Sequence, residues 1–283
     1  MRIYDPRLGR FLSVDPKAAL LPSFSPYVFC LNNPISIIDP NGAFPILVNG
    51  RVSSVSERGS ASYWDGKILS TITKQTGYAQ SSFKFVDGDK GFWSSTRLKA
   101  GIAQGKTDAA GIYATLKETM KDGQITEQLQ FVTHSRGGEF GNGYMQGVSA
   151  EVIKLAAKDG IGFSYGKDNI VEYSANLAPH QSNNIDYKNT GSKNVNVSHV
   201  GDPFSGNDAA GNVINVQSIP EKDAGPITQH GSASFNKELN FILNILESKT
   251  DKSKLVDQIK AGYKSYDNNR TNGDKSKVTQ GSN

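Results

Sequence analysis

Apolar residues along positions 43–250 fall alternately into short runs and into helical spacings. Phe44-Pro45-Ile46-Leu47-Val48 ends at Asn49-Gly50, and Phe83-Lys84-Phe85-Val86 ends at Asp87-Gly88, so each reads as a strand closed by a turn. Gln128–Thr133, Asn169–Ser174 and Asn194–Val200 read as three further strands. Between them, Ala110, Ile112, Leu116 and Met120 share one side of a helix over 107–121. Phe140, Tyr144, Val148, Val152 and Leu155 mark one face of a long helix over 136–158, and Phe235, Leu239, Ile242 and Leu246 mark another over 232–247. Strands alternating with helices at this spacing predict an α/β fold, a doubly wound and mostly parallel sheet. The stretches 51–82, 88–106, 176–193 and 203–226 read as loops, long enough for a lid or an acyl pocket.

Both ends break the pattern. Residues 1–42 hold six prolines, several in Asp-Pro and Asn-Pro pairs, which cut the segment into extended pieces joined by turns. Its apolar side chains, among them Ile3, Tyr4, Phe11, Tyr27 and Ile38, are too many for a linker and too few to close a core. Residues 251–283 are rich in Lys, Asp, Asn, Ser and Gly. Apart from a short helix at 255–263 they read as a disordered tail.

The first segment resembles the Rhs repeat-associated core of YD-repeat proteins. The likeness rests on Tyr4-Asp5-Pro6-Arg7-Leu8-Gly9-Arg10-Phe11-Leu12-Ser13-Val14-Asp15-Pro16, Ser25-Pro26-Tyr27, Asn32-Asn33-Pro34 and Ile38-Asp39-Pro40-Asn41-Gly42. In that family a variable toxin or effector follows the core. The resemblance therefore implies an effector domain from about residue 43, detached from its upstream repeats. It also implies a cognate immunity protein and delivery by a secretion-system carrier, with no signal peptide of the chain's own. Some members cleave themselves after the core through aspartates such as Asp5 or Asp39. The alternative is that these aspartates only cap turns.

Composition narrows the chemistry. The net charge is +4, from 31 Lys+Arg against 27 Asp+Glu, without a clustered basic patch, which gives no case for a nucleic-acid partner. The single cysteine, Cys30, allows neither an internal disulfide nor a CxxC pair. A catalytic histidine has four candidates: His134, His180, His199 and His230. No N-terminal signal segment and no run of eighteen apolar residues occurs.

The chemistry centres on Thr133-His134-Ser135-Arg136-Gly137-Gly138, where a strand turns directly into a long helix. That is the context of a nucleophile elbow, whose sharp turn needs small residues around the serine. His134-Ser135-x-Gly137-Gly138 resembles the GHSxGG elbow of α/β-hydrolase lipases, with Thr133 standing where glycine is usual. The simpler alternative is a serine that only caps a helix. A nucleophilic serine needs a base and the base an orienting carboxylate, in the chain order Ser, Asp, His for this fold. Asp202 follows a strand and His230 precedes the last periodic helix, so Ser135, Asp202 and His230 are the expected triad. Asp208 is the rival acid and His180 the lesser rival base. His134 reads as a packing or substrate-wall residue, and His199 as a sheet-face histidine. The oxyanion hole is expected from the backbone N–H of Arg136 and from the Gly50–Arg51 region. The lipase resemblance implies hydrolysis of a carboxylic ester, a lipid or phospholipid, with no metal or cofactor. A non-catalytic interaction module and an acyltransferase with the same triad remain alternatives.

Overall fold

The computed structural model describes residues 4–5, 7, 10–11, 43–167, 169–187, 192–205, 208–219, 230–248, 252–268 and 276–281. Tyr4–Asp5 pairs antiparallel with Arg10–Phe11. The rest of residues 1–42, including Asp39 and Gly42, lies outside the described residues.

From residue 43 the strands of the main sheet are β1 (Ala43–Asn49), β2 (Lys84–Asp87), β3 (Gln128–His134), β4 (Val171–Leu177), β5 (Lys193–His199), β6 (Val213–Ser218) and β7 (Lys277–Gln280). They form one sheet in the order β7-β6-β5-β4-β3-β1-β2. Every neighbouring pair is parallel except β6–β7. This is the mostly parallel α/β sheet that the alternating pattern predicts. β1 lies inside the sheet, with β2 on one side and β3 to β6 added successively on the other. The order therefore reverses between β1 and β3, the place where open α/β sheets leave a crevice beyond their carboxyl ends.

Alternation along the strands sends apolar side chains to both faces. Ile46, Val48 and Phe131 pack with α2 (Ser94–Lys117) and α3 (Gly137–Asp159), through residues such as Ile112, Phe140, Tyr144 and Val148. Leu47, Val132, Tyr173, Val195 and Val216 pack on the other face against α1 (Gly66–Thr76), α4 (Asn236–Glu247) and α5 (Lys252–Asn268).

Four expectations are corrected. The stretch 51–82 contains α1: Asp65 caps it by accepting from the Lys67 N–H at 2.8 Å, Ile68, Leu69 and Ile72 are buried, and Gly77 ends it in the left-handed region at φ 76°. Helix α2 begins thirteen residues before the apolar spacing of 107–121 suggests. Its early half meets α3 through glycines, so the contact positions there carry no large apolar side chains to show a period. A Cβ on Gly101 would stand 2.1 Å from the Phe140 carbonyl oxygen, and one on Gly105 2.4 Å from that of Tyr144. Reciprocally, a Cβ on Gly143 would stand 2.2 Å from the Leu98 carbonyl oxygen, and one on Gly147 2.3 Å from that of Ile102.

The third correction concerns 251–283, which is not a structureless tail. In α5, Leu255, Ile259 and Tyr263 recur every four residues and are buried. β7 then pairs antiparallel with β6, Ile214 opposite Gln280 and Val216 opposite Val278. An edge strand held by backbone bonds needs few apolar residues, and KVTQ shows none of the usual pattern. Another strand, β6, lies in the stretch 203–226 that reads as loop.

The glycine contacts make a paired prediction. Gly105→Leu drives a side chain into the α3 backbone and should cost at least about 3 kcal/mol. Gly111→Ala lies in the same helix with nothing within 4 Å of the added carbon. It should stabilise by about 0.5–1 kcal/mol. Urea unfolding of the two variants checks both signs.

Candidate active site

β3 ends at His134, and Ser135 takes φ 54°, a left-handed conformation unusual for a residue with a Cβ. Three backbone bonds hold it. Its N–H donates to the Leu177 carbonyl at 2.9 Å, and its own carbonyl accepts from Gly138 at 3.0 Å and His180 at 2.9 Å. The turn also needs room on both sides. A Cβ at Gly137 would stand 2.5 Å from the Val48 carbonyl oxygen, and one at Gly50 would stand 2.6 Å from the Ser135 Cβ. Glycine is thus required where α3 starts against the end of β1.

The structure brings Ser135, Asp202 and His230 together. Ser135 Oγ lies 2.8 Å from His230 Nε2, and His230 Nδ1 lies 2.8 Å from Asp202 Oδ2. The second Asp202 oxygen accepts from the backbone N–H groups of Phe204 at 2.9 Å and Ser205 at 3.3 Å. Burial pushes the Asp202 carboxyl upward. The hydrogen bond and charge of His230, with the Phe204 and Ser205 N–H bonds, outweigh it and hold the carboxyl below its usual value. Asp202 therefore stands as a carboxylate, and His230 presents Nε2 to the serine with Nδ1–H donated to Asp202.

The rivals are engaged elsewhere. Asp208 accepts from Gln217 and Thr279 and so helps hold β7 on β6. The His180 ring packs edge-on to Phe92 at 6.0 Å and sits beside Arg97. Burial first, then the Arg97 charge, lowers its pKa to about 4. His199 stacks on Phe235 with centroids 4.1 Å apart, and its Nε2 is 3.5 Å from Glu238.

His134 does more than pack. Its Nε2 lies 2.7 Å from the backbone carbonyl of His230, and its Nδ1 accepts from the Tyr63 hydroxyl. A carbonyl can only accept, so Nε2 carries the proton and the ring is neutral. Burial, with the nearby His230 second, lowers its pKa to about 3. Tyr63 lies in the stretch that reads as a lid, and nothing in the local sequence announces this contact.

Arg97 is fully buried in α2 and reaches two loops at once. Its Nη1 donates to the Phe92 carbonyl, and its Nη2 donates to the His180 carbonyl at 3.3 Å and to Gln181 Oε1 at 3.1 Å. Of the expected oxyanion donors, Gly50 touches Ser135, Arg51 is exposed, and Arg136 opens α3, where N–H groups lack intrahelical acceptors. The Arg136 side chain donates to Asp89 at 2.8 Å. Among the described residues no three His, Cys, Asp or Glu side chains are grouped to hold a metal ion. Nor is any described helix long and apolar enough to cross a membrane.

No protein-family profile matches the chain, and no curated protein matches it. Among solved structures, the chain is similar to phospholipase PlaB from Legionella pneumophila in complex with thio-NAD, at 11% identity and a TM-score of 0.34. That match covers 57% of this chain and spans 38% of the length of the phospholipase chain.

Two buried groups set opposite pH slopes. His134 is protonated in the unfolded chain below about pH 6.5 but in the fold only near pH 3. The unfolded state binds more protons between these values, and stability rises with pH across them. Burial raises the Glu139 carboxyl to about 7. There the fold binds the extra proton, and stability falls as pH rises from about 4.5 to 7. Glu139→Gln should therefore steepen the rise in stability between pH 5 and 6 by about 1.4 kcal/mol per pH unit. Urea unfolding at the two pH values measures this, and an unchanged slope removes Glu139 as a raised group.

Proposed function

We propose that the chain is a serine hydrolase that cleaves a carboxylic ester through Ser135, His230 and Asp202. The observation that carries this reading is the pair of 2.8 Å contacts linking Asp202, His230 and a serine held at φ 54°. Ser135 Oγ attacks the ester carbonyl while His230 Nε2 takes its proton. The developing oxyanion is met by the Arg136 N–H at the start of α3, with Gly50–Arg51 as the second side of the hole. His230 then protonates the departing alcohol, and water, deprotonated by the same nitrogen, releases the acyl group. Asp202 fixes the imidazole tautomer and stabilises the imidazolium as it forms.

A lipid ester is the finer form of this reading. Of the large apolar side chains exposed among the described residues, Phe204 at 43% packs against His230 and Phe92 at 54% against His180, and Val200 at 50% is two residues before Asp202. The Phe204 ring is 5.2 Å from that of His230. Such a set suits an acyl chain or a lipid surface. The Rhs-like segment supports reading the domain as a toxic effector, and an immunity protein and a secretion carrier follow from that resemblance alone.

Ser135→Ala should abolish fluorophosphonate labelling and lower turnover of a p-nitrophenyl ester by about 10⁴–10⁶-fold while the fold persists. Ser135→Gly should be equally inactive yet melt higher, because glycine relieves the positive φ. Asp202→Asn should cost about 10⁴-fold in turnover. If Ser135→Ala keeps near-full activity, the elbow is only a helix cap.

His134→Phe should lower kcat about 10²-fold with little change in KM, since it lets the base drift without touching substrate. His134→Gln keeps a donor toward the His230 carbonyl and should recover part of the loss. Equal loss in both variants would reduce His134 to packing.

A further inference from the structure

Near the elbow, lined by none of the three triad residues, lies a cleft of about 410 Å³, near the lower end of the range of about 300–1,000 Å³ usual for small-molecule sites. It opens between the start of α2, the first turn of α3 and the segment around Gln181. Its place relative to the nucleophile is fixed twice. Glu139, in the first turn of α3, is four residues beyond Ser135, and Gln181 follows His180, whose N–H is bonded to the Ser135 carbonyl at 2.9 Å.

The lining mixes apolar surface with hydrogen-bonding groups. Trp93 and Leu98 are its apolar members, while Ser94, Ser95, Glu139, Gln181 and Asn184 are polar. An alkyl chain placed there would strip water from those groups and give no hydrogen bond in return. Trp93 is 67% exposed, and Phe92 meets its ring edge-on at 5.1 Å and 90°, which fixes the plane of the indole. An open, oriented aromatic face and a set of hydrogen-bonding side chains therefore share one concavity.

The charged groups in and behind the cleft are of opposite sign. Glu139 is 3% exposed and accepts from Ser94 Oγ at 3.1 Å and Asn142 Nδ2 at 3.2 Å. The buried Arg97 guanidinium acts on it electrostatically and also holds Gln181 by its carbonyl oxygen. With its pKa near 7, Glu139 offers neutral water both a carboxylate and a carboxylic acid. A phosphate would face Glu139, and an ammonium group would face Arg97, so neither sign of charge is favoured. A neutral ligand with several hydroxyls is favoured, because hydroxyls donate and accept at once.

We propose that this cleft binds an uncharged sugar ring, its C–H face on Trp93 and its hydroxyls on Glu139, Gln181 and Asn184, as the alcohol half of the ester. This rests on the hydrolase reading and adds to it the chemical class of the leaving group. The acyl C–O bond breaks, the proton held by His230 passes to the sugar oxygen, and water supplies the hydroxyl of the released acid. The acyl half then lies toward Phe92, Val200 and Phe204.

Two measurements test it. In the first, saturation-transfer NMR follows methyl glucoside, methyl galactoside and methyl mannoside binding to the Ser135→Ala protein, with cyclohexanol as the control. At least one glycoside should bind where cyclohexanol does not, and Trp93→Ala should abolish the effect. If no glycoside binds, or if binding survives Trp93→Ala, the sugar cleft is wrong, whatever the enzyme hydrolyses. In the second, kcat/KM is compared for octanoyl glucose and hexyl octanoate. The sugar ester should be favoured about tenfold, and Trp93→Ala should bring the two to parity. A wild-type enzyme without preference also overturns the proposal. Palmitoyl glucose in phosphatidylcholine vesicles, run beside soluble octanoyl glucose, shows by the faster turnover whether the sugar ester is met on a lipid surface or free in solution. A protein that binds a glycoside but neither hydrolyses any ester nor takes the fluorophosphonate overturns the hydrolase reading and the leaving-group role, and leaves only a sugar site.

Discussion

Close approach of backbone to backbone at the end of β1 and β3 is the constraint on which the rest depends. Ser135 is held at φ 54°, where a Cβ is unwelcome, and it stays there because its surroundings leave no other path. Gly137 lets the first turn of α3 rest on the carbonyls of Val48 and Asn49. Gly50 lets the chain leaving β1 pass against Ser135 itself. A side chain at either place would push helix or strand outward and let the serine relax. The strain thus sits in the turn, and the cost is met by the packing of the long helix behind it. Tyr144, Val148 and Val152 of that helix are fully buried.

The same economy of side chains explains what the sequence hides. β1, β3, α3 and α4 announce themselves because their burial is done by Ile, Leu, Val and Phe at regular steps. The α2–α3 interface is done by Gly101, Gly105, Gly143 and Gly147, which carry no hydrophobic period. Helix α1 has its signals, Asp65 before it and Gly77 after, but only three apolar positions between them. β6 reads VINVQS, and its Asn215 faces the interior. In the site, Ser135 is legible from its neighbours, and Asp202 and His230 from chain order. The contacts of Tyr63 and Arg97 join segments far apart in sequence, at |i−j| of 71 and 83, and no local pattern encodes them.

Asn215 belongs to a row of polar side chains that crosses the buried sheet. Thr133, Asn176, Asn196 and Asn215 stand opposite one another on β3, β4, β5 and β6. Thr133 donates to Asn176 at 2.7 Å, Asn176 to Asn196 at 3.0 Å, and Asn196 to Asn215 at 3.3 Å. Asn215 ends the row by donating to the Ala209 carbonyl and accepting its N–H. Buried amides are costly alone and stabilising when each is answered. The row begins two residues before the nucleophile and ends on the segment that follows Asp202. That segment is tied in turn to the loop after β4, Gln181 and Ser182 donating to the carbonyls of Phe204 and Ser205. Serine and acid are therefore set by one continuous network, which a sheet with an apolar row here would lack.

His230 lacks such a strand, and its backbone is restrained by the hydrogen bond from His134 to its carbonyl. That choice has an electrostatic consequence. In the proposed reaction His230 takes the serine proton and becomes a cation, with its ring centroid 5.5 Å from that of His134. A second histidine of ordinary pKa at this distance would carry charge of its own in mildly acidic water and oppose the imidazolium. His134 cannot do so, because burial holds its pKa near 3 and both ring nitrogens are already engaged, one by Tyr63 and one by the His230 carbonyl. It offers the base a fixed hydrogen bond without a competing charge. Asp202, held as a carboxylate by its N–H partners and by His230, is then the ionised group in direct hydrogen bond with the His230 ring. A neutral anchor on one side and a carboxylate on the other therefore hold the His230 ring, and of the two only Asp202 places a charge beside it.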